Sequence, residues 1–144
     1  MNCTGKGRVF RFESAVEMMR RMFKVGKKKP KNGRWKEFNK HAVLVAEGMH
    51  NNGLKHGIWR YYYDTGELAI EETYVNGRMH GTYTSYHLNG SMMSEGQYEN
   101  DCREGHFNIY NEQGELLKVM LFANNILIGE NGLSRELSAK NETT

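Results

Sequence analysis

Proline is almost missing from this chain: Pro30 is the only one in 144 residues. That excludes collagen, mucin-like stalks and polyproline linkers, which need proline at high density. Cysteine is nearly as scarce. Cys3 and Cys102 can build neither a disulfide framework nor a four-ligand zinc site, and a reducing, cytoplasmic setting is the expectation. No apolar run approaches the roughly 18 residues that a membrane-spanning helix requires. Residues Met1–Lys6 hold no apolar stretch of the kind that opens a secretory leader. Apolar residues make up 38% of the chain, below the roughly 45–50% of globular domains on a count that includes glycine. A thin core is expected rather than a thick one. Glycine, with 16, and tyrosine, with eight, are plentiful.

Charge is unevenly placed. Residues 1–36 hold twelve Lys and Arg against Glu13 and Glu17, a net of +10, whereas residues 37–144 hold eight against fifteen acids, a net of −7. A short basic arm can meet nucleic acid or a membrane surface. It can equally neutralise the acidic remainder, and the acidic remainder would repel phosphate.

The dominant pattern is a repeat at a constant offset of 24 residues. Gly33, Gly57, Gly81, Gly105 and Gly129 form one column, and Trp35, Trp59, Tyr83 and Phe107 form another. Phe38, Tyr62, Tyr86 and Tyr110 follow, then Leu44, Leu68, Met92 and Leu116, then His50, Tyr74, Tyr98 and Phe122, then Asn52, Asn76, Asn100 and Asn124. Gly66, Gly90 and Gly114 make a further column in which the first unit has Ala42. Columns in register without insertion mean stacked supersecondary units. Four units are expected, at 33–56, 57–80, 81–104 and 105–128. Residues 129–144 then form a C-terminal cap and tail.

Each unit reads as two strands. Ile58–Tyr63 is β-branched and aromatic, Asp64-Thr65-Gly66-Glu67 is a turn, Leu68–Val75 is a second strand and Asn76-Gly77 a second turn. Asn89-Gly90 at the first turn of the next unit suggests a type I′ hairpin. The expectation is a mainly β fold: a single-layer, twisted antiparallel meander of about eight strands. A two-residue turn at Thr65-Gly66 pairs Tyr62 with Ala69, Arg60 with Glu71, Trp59 with Glu72 and Gly57 with Tyr74. The same rule pairs Lys36 with Glu47, Trp35 with Gly48, Tyr83 with Gly96 and Gly81 with Tyr98. A three-residue turn would shift the register by one and exchange the faces.

These units resemble the MORN repeat in its bacterial variant. Gly57-Ile58-Trp59-Arg60-Tyr61-Tyr62-Tyr63 and Tyr74-Val75-Asn76-Gly77-Arg78-Met79-His80-Gly81 carry the resemblance. It implies stacked hairpins in a twisted single-layer sheet. It also implies kinship with bacterial proteins often labelled as the antitoxin of a toxin–antitoxin pair. The sequence departs from the pattern at Asn39-Lys40-His41-Ala42, which lacks the turn glycine. It departs again at Asn100-Asp101-Cys102-Arg103-Glu104 and Asn124-Asn125-Ile126-Leu127-Ile128-Gly129.

Residues 1–32 form a basic segment. Within it, Phe12, Val16, Met19 and Phe23 mark an amphipathic helix over 13–24 that caps the repeats. Arg20, Arg21, Lys27, Lys28 and Lys29 are the residues that would meet a membrane surface. Lys27-Lys28-Lys29-Pro30-Lys31 also has the composition of a nuclear localisation signal.

The chemistry of an enzyme is not visible. Glu47, Glu71 and Glu95 recur about 10 Å apart on the two-strand spacing, too far for a shared-proton dyad, and the repeat itself accounts for them. His56 and His80 recur the same way and cannot share a metal. His41, His50, His87 and His106 show no ligand spacing, and Cys102 falls in a predicted turn without a neighbouring histidine. No phosphate loop, dinucleotide fingerprint or nucleophile elbow is present. No cofactor, no metal and no nucleic acid are expected. The leading expectation is a non-catalytic protein-interaction module, of antitoxin or immunity type. A peripheral membrane or lipid-headgroup binder is the alternative, and a second copy pairing through the sheet's open edge is a further partner that the pattern allows.

Alternation places Trp59, Tyr61, Tyr63, Leu68, Ile70 and Tyr74 on one side of the sheet, and Arg60, Tyr62, Ala69 and Glu71 on the other. The Trp59 side is expected to be concave, with Tyr61 and Tyr63 reachable at its rim. Because Tyr61 and Tyr63 stand outside the repeat, they join Trp59 and Arg60 as partner-binding candidates. The whole reading is checked by circular dichroism: a β spectrum is expected, with helix below about a third of the chain.

Overall fold

The computed structural model describes residues 32–132. They form one nine-stranded sheet: β1 (Gly33–Phe38), β2 (Leu44–Asn51), β3 (Leu54–Tyr62), β4 (Leu68–Val75), β5 (Arg78–Tyr86), β6 (Met92–Glu99), β7 (Cys102–Tyr110), β8 (Leu116–Ala123) and β9 (Ile126–Gly132). Spatial order equals chain order and every neighbour is antiparallel, so the sheet is an uninterrupted meander. No helix occurs among the described residues. The expected helix over 13–24, with the rest of the basic segment through Lys31, lies outside the described residues, as does the tail from 133.

Two kinds of turn alternate. Asn52-Gly53, Asn76-Gly77, Asn100-Asp101 and Asn124-Asn125 all have positive φ at both residues, the mark of type I′ turns that match the twist of the strands. Where glycine is lost, Asp101 and Asn125 take the left-handed conformation instead. Each aims its side-chain Oδ1 at the preceding repeat: Asp101 accepts from the Met79 N–H at 2.8 Å and Asn125 from the Arg103 N–H at 2.6 Å. Their own N–H groups donate to the carbonyls of Met79 and Arg103, as Gly77 donates to Lys55. These turns therefore tie each unit to the one before it.

The opposite turns differ from the two-residue expectation. The Tyr63 N–H donates to the Glu67 carbonyl at 2.8 Å, and the Gly66 N–H to the Tyr63 carbonyl at 2.9 Å. This closes a three-residue loop in which Gly66 alone has positive φ. The same loop recurs at Lys40–Ala42, at Leu88–Gly90 and at Glu112–Gly114. Asn89-Gly90 is thus not a type I′ turn. The register slip that such a loop causes is then cancelled by a β-bulge. Tyr62 pairs with Leu68 rather than Ala69, and from Tyr61 with Ile70 onward the register is the expected one, with Arg60 on Glu71, Trp59 on Glu72 and Gly57 on Tyr74. Bulges at the same place in the other three hairpins do likewise. From the Tyr61–Ile70 pair onward the faces stand as alternation assigned them, but the bulge overturns two positions: Ala69 is buried in the Trp59 core instead of on the opposite side, and Leu68 pairs with Tyr62 instead of sharing the Trp59 side.

A second irregularity falls at the glycine column. Between β2 and β3 the register jumps from Glu47 with Arg60 to Met49 with His56, and equivalent jumps occur between β4 and β5 and between β6 and β7. Gly57, Gly81 and Gly105 sit there with φ of 71°, 116° and 73°, a conformation that side chains disfavour.

The core lies on the Trp59 face. Ala46, Trp59, Tyr61, Ala69, Ile70, Tyr74 and Met79 are buried together, with Trp35, Tyr63, Tyr83 and Tyr98 packed against them. Cys102 opens β7 instead of lying in a turn; it is buried and is not a free thiol. Gly48 shows why small residues interleave with the rings. A Cβ there would lie 2.3 Å from the Trp59 ring, and one at Gly96 would lie 2.5 Å from Phe107. Trp59 is fixed by a 3.0 Å bond from its Nε1–H to the Met49 carbonyl, so it has no room to yield. Gly48→Ala should lower the unfolding free energy by about 1–3 kcal/mol. Gly129→Ala, whose Cβ would meet only Leu121 at 3.8 Å, should change it by less than about 0.5 kcal/mol. Urea denaturation of both variants checks the contrast.

Candidate functional site

The buried face carries a ladder of aromatic rings across eight of the strands. His50 stands edge-on to Trp35 and to Trp59, and Trp59 edge-on to Tyr74. Further along, Tyr83 meets Tyr98, Tyr98 meets Phe107 and Phe107 meets Phe122, with centroids 5.4–5.7 Å apart. Edge-to-face contacts of this kind add about 0.5–1.5 kcal/mol each beyond area burial.

Within the ladder one cation is enclosed. The Lys55 Nζ lies 4.5 Å from the Trp59 centroid, 4.9 Å from Tyr61 and 4.7 Å from Tyr74, and it donates to the Tyr61 hydroxyl. Beside it the Glu72 carboxylate, 1% exposed, accepts a 2.6 Å hydrogen bond from the Tyr74 hydroxyl. Burial is the main reason that the Tyr61 phenol is pushed far above its ordinary pKa, with the Glu72 charge second. At the equivalent place two units on, Arg103 lies 4.3 Å from the Phe122 centroid.

The opposite face presents paired polar groups. Lys36 meets Glu47 at 3.5 Å and Arg60 meets Glu71 at 2.8 Å, the cross-strand pairs that the register predicted. Both are partly exposed and stabilise by less than about 1 kcal/mol each. The Tyr62 hydroxyl donates to Glu47 at 2.8 Å. Its own pKa is pushed up to about 12, by burial first and by the Glu47 bond second. Glu95 accepts from Tyr110 at 2.7 Å and from Asn108 at 3.0 Å. Glu47 and Glu95 are thus acceptors for tyrosines one repeat on, while Glu71 accepts from Arg60. On the same face Met49, Leu54, Ile58 and Val75 are 41–48% exposed; their strand neighbours His50, Lys55, Trp59 and Tyr74 point into the ring ladder.

The sequence-derived candidates fall in different places. Trp59 and Tyr61 are buried, 2% and 7% exposed, so Tyr61 is not at a reachable rim: Lys55 and Tyr74 pack around it. Tyr63 is half-buried and donates to the Tyr86 carbonyl at 2.7 Å. His87, one repeat later, contacts the Tyr110 carbonyl at 3.0 Å in the same way, so this column links adjacent hairpins. Arg60 lies on the opposite face with Glu71. Arg20, Arg21, Lys27, Lys28 and Lys29 lie outside the described residues. Lys55 and Glu72 went unnoticed as a site. Glu72 alone carried a signal: its column has Gly48 and Gly96, whereas at the offset of Lys55 both Lys31 and Arg103 are also basic.

Two segments of the chain, residues 55–76 and 79–100, match the model of the MORN repeat variant. They correspond to the hairpins of β3–β4 and β5–β6. No curated protein matches the chain. Among solved structures it is similar to the crystal structure of TarM, with 10% identity and a TM-score of 0.49 over 88% of this chain. The chain spans 24% of the length of that one, and a likeness of this degree carries no argument about fold or activity. Among the described residues, no group of His, Cys, Asp and Glu could hold a metal ion, and no helix is long and apolar enough to cross a membrane.

The Glu95 bonds have a pH consequence. Its carboxyl is held below the ordinary 4.5, first by the Tyr110 hydroxyl and then by Asn108. A lowered folded pKa contributes stability that is present above the unfolded value and is lost as pH falls through the folded one. Tyr110→Phe should cost at most about 1 kcal/mol at neutral pH. It should also flatten the acid limb below about pH 4.5. Urea unfolding from pH 3 to 7, with the Glu95 carboxyl titration followed by NMR, checks both.

Proposed function

We propose that this chain is a non-catalytic docking protein that receives a partner protein on the face opposite the ring ladder. MORN repeats in general serve contact with proteins and membrane lipids. The observation that carries the proposal is the set Met49, Leu54, Ile58 and Val75, which leaves apolar side chains 41–48% exposed on three adjacent strands. Grouped surface hydrophobics of this kind mark interaction sites. The Arg60–Glu71 pair on the same face supplies a polar border, as interfaces have. The finer reading, an antitoxin-type protein that binds and neutralises its partner, rests on the repeat's resemblance alone.

A photo-crosslinking residue at position 58 should trap a partner protein in cells, whereas one at Thr82, exposed on the same face of β5, should not. Leu54→Glu with Val75→Glu should abolish the adduct while leaving the β spectrum intact. Salt-sensitive co-sedimentation with anionic liposomes, with no adduct at position 58, would favour the membrane reading through residues 6–31. A toxin-like gene beside this one would support the finer reading.

A further inference from the structure

The repeat provides an internal standard for what the fold alone requires. At the position of Lys55 the later units have Met79, Arg103 and Leu127; at Tyr61, Ser85 and Ile109; at Glu72, Gly96 and Met120. Ser85, Ile109, Gly96 and Met120 sustain the pairing that Tyr61 and Glu72 make, and Met79 and Arg103 pair with Tyr74 and Tyr98 as Lys55 pairs with His50. Lys55, Tyr61 and Glu72 are therefore not needed to make a hairpin, yet the second unit brings all three together. The result is an ammonium within 5 Å of three ring centroids, with a buried carboxylate bonded to one of those rings. Three ring faces around one cation, with a carboxylate near, are the elements by which proteins recognise alkylammonium groups.

We propose that Trp59, Tyr61, Tyr74 and Glu72 form a binding site for a methylated lysine side chain, which Lys55 occupies in the unliganded chain. The occupant already in place argues for this ligand: a linear butyl stem ending in an ammonium enters the cage from β3. Methylation favours the incoming group over Lys55, because a quaternary ammonium is more weakly hydrated and loses less on leaving water. Lys55 competes from within the chain at high effective concentration, so it sets the affinity. Because Lys55 is only partly buried, displacing it opens the cage toward solvent. The inference concerns this face of the sheet and does not depend on the docking reading of the other.

The test uses N-acetyl-trimethyllysine amide as probe and the indole N–H resonances of the full chain as readout. Trp59 reports on the cage, and Trp35, which does not line it, is the control. Lys55→Met copies the residue that the third unit carries, so the hairpin is expected to persist. That variant should show a saturable shift of Trp59 alone, at a probe concentration at least about tenfold lower than the wild type requires. Adding Tyr61→Ser, which copies Ser85, should remove the response. In the wild type the probe should also return the ring-shifted Lys55 methylene signals toward ordinary positions, a readout that stands even where Lys55→Met fails to fold. No Trp59 shift in either protein overturns the proposal, as does an equal shift with Tyr61→Ser. A response to phosphatidylcholine vesicles but not to the soluble probe overturns the lysine ligand in favour of a headgroup.

Discussion

A ring laid across the backbone of the neighbouring strand is the contact on which this sheet depends. A one-layer sheet cannot bury a face against a second layer of its own, so its large side chains must find cover on the strands beside them. Glycine makes that possible. Trp59 covers Gly48 and Phe107 covers Gly96 at distances that exclude even a methyl group, and both rings are buried, at 2% and 5% exposed. Where the corresponding position is Glu72, the ring of Tyr83 is only half-buried. Burying an aromatic side chain stabilises by a few kcal/mol, at roughly 25 cal/mol per Å². The spacing of ring and glycine columns is thus an energetic requirement of a one-layer architecture.

The turns serve the same requirement. Rings meet glycines only if the register holds through nine strands, and a slip of one residue would send every ring to the other face. The two-residue Asn turns preserve parity directly. The three-residue loops break it, and the bulges at Val45, Ala69, Met93 and Leu117 restore it within a few residues. Loop and bulge are one device, and this is why a two-residue turn describes the register although no such turn exists at Gly66.

That cancellation also explains what the sequence made legible. Repeat length, strand pairing and the inward face followed from columns and alternation, because both survive a compensated slip. The loop type did not follow, because Asn89-Gly90 has the composition of a type I′ turn, while the hydrogen bond from His87 to Ser91 fixes a longer loop. Pairing alone does not tell which ring covers Gly48. Trp35 is its paired residue, but Trp59, from the other neighbouring strand, lies on it. Pairing tables give backbone neighbours, whereas large rings lean across to the next strand. The exposure of Tyr61 was misjudged for a related reason: alternation gives the face of a side chain and not what packs around it.

Residues that break a repeat are not equivalent, and the structure separates them by what their polar atoms do. Asp101 and Asn125 replace a turn glycine and bond the backbone of the preceding unit, so they repair the fold. Tyr63 and His87 replace the asparagine of their column and bond the carbonyl of the next hairpin. These departures serve the scaffold by linking adjacent hairpins. Lys55, Tyr61 and Glu72 are of another kind. Lys55 and Tyr61 meet each other and two ring columns beside Glu72, at a point where the third unit manages with methionine, serine and glycine. A buried charge surrounded by rings is costly to assemble unless it is matched, and the fold does not require it. Departures that converge on one place while the scaffold does without them are where a repeat protein carries its specificity.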